Sequence, residues 1–176
     1  MLDMGYMHLY TGDGKGKTTA AAGLAIRAAG SGAKVLFCQF LKGGETGEEQ
    51  ILSSLDTVCV RRKKEPLPFL WDMTGEEKEK VREWNEQTLA VIKDAVQNKR
   101  YDMIVLDEVT YPCSYHLLEE TELKELLKKA SGRVEVVCTG RDAPEWMQDM
   151  ADYVTEMRAV KHPYEKGVAA RKGVEF

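Results

Sequence analysis

At 176 residues the chain is most simply one domain, long enough to bury a core without disulfide help. Its hydrophobic (43%) and charged (31%) content is that of an ordinary globular protein, and a net charge of −4 removes any general reason to expect nucleic acid or a membrane surface as partner. No signal peptide or bilayer-length apolar run is present, and the scattered cysteines (Cys38, Cys59, Cys113, Cys138) form no C-x-x-C pair, so zinc and a disulfide framework are disfavoured and a cytoplasmic location is expected.

In chain order, "YMHLY" (6–10) is a strand candidate that runs into a glycine-rich loop. Lys17 to Ala29 then predicts a helix with a mostly alanine face, which permits close approach to a sheet. "KVLFCQFL" (34–41) predicts a buried strand, with Cys38 as a small hydrophobe, and "VCVRR" (58–62) a weaker one. Thr74-x-x-Glu77 is a capping box opening a helix whose apolar side carries Val81, Trp84, Val91, Ile92 and Ala95. "YDMIVLDE" (101–108) predicts a strand ending in two acids; Leu123, Leu126 and Leu127 line a helix that stops near Ser131-Gly132. "VEVVCTG" (134–140) is a further strand, Asp142 to Glu145 starts a short helix, and "DYVTEMR" (152–158) is the last strand. The final "KHPYEKGVAARKGVEF" has no periodicity and reads as a packed or mobile tail. Strands alternating with helices predict an α/β fold with a mostly parallel sheet covered on both faces.

The chemistry concentrates at "YTGDGKGKTT" (10–19). In the P-loop register Thr11 takes the first glycine position, Gly12, Gly14 and Gly16 let backbone N–H groups turn inward, Lys17 brings charge to phosphate, and Thr18 offers a hydroxyl to Mg²⁺. The following helix N-terminus favours anions. Asp107 and Glu108 are the matching acids, because a P-loop needs a carboxylate across from Thr18 to complete the metal site. These parts alone also fit a RecA-like ATPase or phosphotransferase with Glu108 as base. "TGRD" (139–142) leaves Arg141 at a strand's C-terminal end, as a phosphate clamp or a plain surface charge. "FLWD" (69–72) puts Phe69 and Trp71 two apart; in an extended segment both rings point the same way, and such a pair is more often core than ligand platform. "RRKK" (61–64) reads as a solvated face.

The ordered set "YTGDGKGKTTAAAGLAIRAAGSGAKVLFCQFLKG", "FLWD", "LDEVTY", "TGR" and "VKH" followed by "KGVAARKGVEF" resembles the CobA/BtuR-type corrinoid adenosyltransferases over nearly the whole chain. The resemblance implies a P-loop, RecA-like fold, usually homodimeric, that moves the 5′-deoxyadenosyl group of ATP to the cobalt of a reduced corrinoid and releases triphosphate. The corrinoid would be cob(I)alamin or cobyrinic acid a,c-diamide, and a flavin-type reductase would supply the electron. Carried over by position, Gly12, Asp13, Gly14, Lys15, Gly16, Lys17, Thr18 and Thr19 would wrap the triphosphate. Thr18 and Glu108 would hold Mg²⁺ with Asp107 beside them, Arg27 and Arg141 would touch the nucleotide, and Phe69 and Trp71 would lie against the lower corrin face. Catalytic weight then falls on Lys17, Glu108, Phe69 and Trp71. Two departures stand out: Asp13 replaces the asparagine of many members, and little sequence precedes the loop where some members carry a corrinoid-covering segment.

Overall fold

A computed structural model describes residues 5–44 and 46–174; Glu175 and Phe176, the end of the tail, lie outside them. Strands β1 (Met7–Thr11), β2 (Val35–Gln39), β3 (Val58–Arg61), β4 (Met103–Asp107), β5 (Glu135–Thr139) and β6 (Tyr153–Glu156) form one sheet in the order β3-β2-β4-β5-β1-β6. Every pairing is parallel. The α/β expectation holds, and β5 standing between the glycine-loop strand β1 and the acid-bearing strand β4 is consistent with a RecA-like order.

The helices are α1 (Lys17–Gly30), α2 (Gly47–Ser53), α3 (Gly75–Gln97), α4 (Thr110–Ser114), α5 (Glu120–Ala130) and α6 (Glu145–Met150). Successive strand residues point to opposite faces, so one short apolar strand feeds two cores. Val35, Phe37, Val105 and Val137 pack with Ala21, Ala22 and Ala25 of α1. Leu36, Cys38, Ile104, Leu106 and Cys138 pack on the other face with Leu89 and Ile92 of α3 and Leu123, Leu126 and Leu127 of α5. The alanines have no side chain beyond Cβ, which brings the start of α1, and the loop before it, close against the strand ends.

Several readings need correction. The buried stripe of α3 is Val81, Asn85, Thr88, Leu89, Ile92, Ala95 and Val96. Val91 is exposed, and Trp84 is half-buried beneath the Arg61 guanidinium, 4.5 Å from its ring centroid. Asn85 was invisible to an apolar count because its burial rests on one hydrogen bond, from Nδ2 to the Leu117 carbonyl (2.8 Å). The capping box is present, with Glu77 N–H donating to Thr74 Oγ1 and Thr74 N–H to the Glu77 carboxylate. Helices α2 and α4 were not anticipated: α2 buries only Leu52, and α4 is five residues long with Pro112 inside it. The tail holds one short 3₁₀ turn, Pro163–Lys166.

"RRKK" is only partly a solvated face. Arg62 is buried, and its guanidinium donates to Thr46 Oγ1 (2.8 Å), Glu49 Oε2 (3.1 Å) and the Gly44 carbonyl. It ties the loop after β2 to the chain after β3. Lys64 is exposed. Arg62→Ala is therefore expected to lower unfolding stability by about 2 kcal/mol, because its partners lose their donor inside a part-buried loop. Lys64→Ala should shift it by no more than about 0.5 kcal/mol. Chemical denaturation of both variants measures the contrast.

Candidate functional site

Because all six strands run parallel, their C-terminal ends share one sheet edge, and the loops that follow them gather there. They enclose a cleft of about 530 Å³ lined by the 13–19 stretch together with Lys42, Glu48, Glu108, Arg141 and His162. Three of the five non-glycine residues with positive φ among the described residues sit at this edge: Leu41 (51°), Glu108 (59°) and Asp142 (48°). Each flanks a charged group of the cleft, so backbone strain is spent on aiming them.

The glycine loop is anchored by the end of the chain. Gly12 and Gly16 have φ of 94° and 117°, which side-chain-bearing residues rarely adopt. Gly14 N–H donates to the Met157 carbonyl (2.7 Å), and a Cβ at Gly12 or Gly14 would strike that same backbone. Thr11 can replace the first glycine of the pattern because it is still strand, paired with Glu156 and buried. The Asp13 carboxylate is turned to the tail, where it accepts Ala159 N–H (3.0 Å), and that bond is the main cause holding its pKa down.

Lys17 is buried, and its ammonium donates to the Gly12 (2.6 Å) and Gly14 (2.7 Å) carbonyls. Burial lowers its pKa, an effect partly offset by the negative field of Glu108. Asp107 ends β4 with no exposure. Its Oδ1 accepts from Thr139 Oγ1 (2.7 Å), and its Oδ2 accepts from Gln39 Nε2 (3.1 Å) and Lys42 Nζ (3.0 Å). The Lys42 ammonium also donates to Thr18 Oγ1 (2.9 Å) and stands 3.8 Å from Glu48. Glu108 lines the cleft beside it; burial and then the Asp107 charge raise its pKa, while Lys42, Lys17 and Arg141 pull it back.

A divalent cation needs hard oxygens that converge. Thr18 Oγ1 and Asp107 Oδ2 do converge, since both accept from one ammonium nitrogen. The buried Gln39 Oε1, on the amide that bonds Asp107, has no partner. No cluster of three or more His, Cys, Asp or Glu suited to a metal occurs among the described residues. The donor set thus fits Mg²⁺ held by few protein oxygens and completed by phosphate and water, with Thr18 and an acid of the Asp107-Glu108 pair as ligands.

The structure brings the 12–19 loop, Asp107, Glu108 and Arg141 together. Arg141 is exposed at the rim, its carbonyl held by Thr110 Oγ1 (2.7 Å). Arg27 is not brought to the cleft: it is exposed on the last turn of α1, about 15 Å along the axis from Lys17. Neither Phe69 nor Trp71 is core, and only Phe69 keeps extended backbone (φ −61°, ψ 145°). Leu70–Asp72 forms a 3₁₀ turn. The two rings stack with centroids 4.8 Å apart and planes 4° apart, at 68% and 78% exposure. They stay outside because Met73, Val81 and Leu117 already fill the local core, with Leu70 and Leu67 packed on it. Trp71 borders a smaller hollow of about 150 Å³ with Lys78 and Tyr115.

Lys42, Gln39, Glu48 and His162 were not singled out as site residues. Lys42 could have been: it lies three residues past a buried strand, on the same sheet edge onto which Glu108 opens directly after β4. His162 Nδ1 accepts Tyr164 N–H (3.2 Å), so in the neutral ring the proton is on Nε2.

A family model described as ATP:corrinoid adenosyltransferase BtuR/CobO/CobP matches residues 3–176. The corrinoid adenosyltransferase of Escherichia coli (strain K12) is 35% identical over 99% of this chain and 87% of its own length. Corrinoid adenosyltransferase CobA of Salmonella typhimurium is 34% identical, over 99% and 87%. A corrinoid adenosyltransferase of Sinorhizobium sp is 32% identical, over 99% and 81%.

The raised Glu108 pKa has a consequence for stability. A carboxyl whose folded pKa exceeds its unfolded value of about 4.3 favours the fold fully below that value and loses the contribution as pH rises through the folded pKa. Ligand-free Glu108→Gln should then resist denaturant better than the unmodified protein at neutral pH, and the gap should close on acidification through the carboxylate range. Denaturant melts across pH 3–7 follow it; an amide variant that is less stable at neutral pH would contradict the assignment of strain to this carboxylate.

Proposed function

The chain belongs to the ATP:corrinoid adenosyltransferase family, and from that premise we propose that it transfers the 5′-deoxyadenosyl group of ATP to Co(I) of a corrinoid, releasing triphosphate. The observation that carries the site assignment is the convergence in one cleft of four cations, Lys15, Lys17, Lys42 and Arg141, with Glu108 and the buried Asp107 that Lys42 neutralises. Co(I) is already a strong nucleophile. Its electron pair forms the Co–C5′ bond while the C5′–O bond breaks and its pair leaves on the triphosphate. The protein therefore has to align two reactants and stabilise charge on a leaving group, with no need to activate water.

Gly12 to Thr19 wrap the triphosphate, Lys17 and Arg141 neutralise it, and Thr18 with Glu108 or Asp107 holds Mg²⁺, which supplies further positive charge to the phosphates when bound. Lys17 must first leave the Gly12 and Gly14 carbonyls, so phosphate oxygens replace acceptors that it already has. Arg27 does not line the cleft of this chain, so a contact with the nucleotide would have to be made from outside it. The exposed, parallel Phe69–Trp71 stack supports the lower-face role, because an apolar platform left in solvent suits a large flat ligand. Among the described residues no helix is long and apolar enough to cross a membrane, and the four cysteines are free thiols. We extend the reading to a single cytoplasmic domain that works as a homodimer with a flavin-type reductase.

Mixing the protein with Mg-ATP and chemically reduced cob(I)alamin should yield a photolabile alkylcobalt spectrum and triphosphate. Inorganic phosphate with no alkylcobalt product would instead favour the ATPase reading with Glu108 as base. Lys17→Ala should reduce turnover by about 10²-fold or more with the fold intact, since alanine suits a first helical turn and the lost charge acts on the leaving group.

The aromatic pair makes a separate prediction. A donor on the lower axial face of Co(II) raises the orbital that the incoming electron must enter. Two rings against that face offer no lone pair and exclude water, which eases reduction. Phe69→Ala and Trp71→Ala should therefore lose more activity when supplied with Co(II) and a mild reductant than when supplied with preformed Co(I). Equal losses in the two assays would return the pair to a structural role.

A further inference from the structure

Lys42 occupies a place that the reaction needs for something else. Its ammonium sits 2.9 Å from Thr18 Oγ1 and 3.0 Å from Asp107 Oδ2, the two oxygens whose convergence makes them fit for Mg²⁺. The P-loop lysine does not compete for that position, because Lys17 Nζ is engaged by the Gly12 and Gly14 carbonyls. Asp107 explains why some cation must be there. Its carboxylate is fully buried, and the Thr139 hydroxyl and Gln39 amide give it dipoles but no positive charge. A buried carboxylate without a counter-charge is strongly unfavourable.

We propose that Lys42 is a tethered stand-in for the divalent cation: it neutralises Asp107 in the nucleotide-free protein and is displaced onto the nucleotide's phosphates when Mg²⁺ arrives. Two cations cannot share the Thr18–Asp107 point, so metal binding must expel the ammonium. The side chain permits the movement. The backbone beside Lys42 stays held, with the Gly44 N–H on the Lys64 carbonyl and the Gly44 carbonyl on Arg62, while the flexible four-carbon stem keeps 27% exposure into the cleft and can swing. Without nucleotide the expelled charge has, among the described residues, only carboxylates of the cleft wall, Glu48 at 3.8 Å and Glu108, to turn to. With nucleotide it has the triphosphate, where it adds to Lys17 and Arg141 on the leaving group. Metal and nucleotide therefore assist each other through this one side chain, and linkage makes the assistance reciprocal. The inference rests on the cleft binding Mg-ATP and extends that reading to a residue not singled out from the sequence.

The test measures metal affinity directly, away from turnover. MgCl₂ is titrated without nucleotide into the unmodified protein and Lys42→Met, following heat of binding and melting temperature. Lys42→Met should melt lower without metal and bind Mg²⁺ about tenfold or more tightly than the unmodified protein, since it has no tethered competitor; ATP should then enhance its Mg²⁺ affinity less. Equal or weaker Mg²⁺ binding by Lys42→Met overturns the proposal. Should that variant fail to fold, the unmodified protein decides: its lysines are reductively methylated with ¹³C, which preserves their charge, and the Lys42 resonance is followed. It should move when Mg²⁺ and ATP are both present and stay near its starting position with Mg²⁺ alone at the same concentration. A resonance that ignores the combination refutes the displacement. Adenosylation of cob(I)alamin is assayed on the same preparation, so a protein that shows the exchange yet makes no alkylcobalt product counts against the activity and not against Lys42.

Discussion

A carboxylate with no solvent at all has to be satisfied by the protein around it, and Asp107 is that carboxylate. It draws a hydroxyl from β5 through Thr139, an amide from β2 through Gln39 and a charge from the loop after β2 through Lys42. Lys42 then reaches Thr18 at the start of α1. Four separate stretches of chain are placed relative to one another by the need to compensate one buried charge. The same oxygens are hard donors in a cleft, so the requirement for folding and the requirement that the proposed metal nucleotide would impose fall on one set of atoms.

The parallel sheet makes this concentration possible. Right-handed crossovers return every strand in the same direction, so each strand's last residue opens onto the same edge. The two cores are closed by residues of alternate parity, and α1 lies close because its inner face is alanine. Chain ends add a further constraint: the Met157 carbonyl accepts Gly14 N–H, and Ala159 N–H meets Asp13. The segment after β6 is therefore part of the loop's support, with His162 and Val174 reaching the cleft.

The two substrates proposed for this chain make opposite demands, and the groups suited to each lie on different parts of the molecule. Triphosphate calls for charge, glycine and strained backbone, and these lie at the strand ends. A flat macrocycle calls for apolar area, and the Phe69–Trp71 stack stands in solvent on a 3₁₀ turn after β3. The loops are joined nonetheless, since Gly44 N–H donates to the Lys64 carbonyl (3.3 Å) and Arg62 clasps the chain around Gly44 and Thr46. Lys42 and the aromatic platform thus ride on neighbouring, mutually tied segments.

Local pattern was enough to read much of this protein. The glycine loop with its Lys-Thr pair, the acids at a strand end, the six strands, the alanine face of α1 and the capping box at Thr74 are all properties of a few consecutive residues, where φ preference, periodicity and charge act locally. The ordered motifs also carried the family. Tertiary structure alone decided which charges meet. Lys42 and Asp107 are 65 residues apart, and nothing in their neighbourhoods announces that one neutralises the other. Arg62 is buried and Lys64 is not, within a single basic run, because only one of them faces the loop after β2. Position in a motif points Arg27 toward the nucleotide, yet helix geometry carries it about three turns along α1 from Lys17, outside the cleft lining. Phe69 and Trp71 were weighed toward a core by base rate, and they are exposed because others had already filled the space. Sequence sets what each residue can do; long-range packing sets what it stands next to, and burial of charge depends on the second.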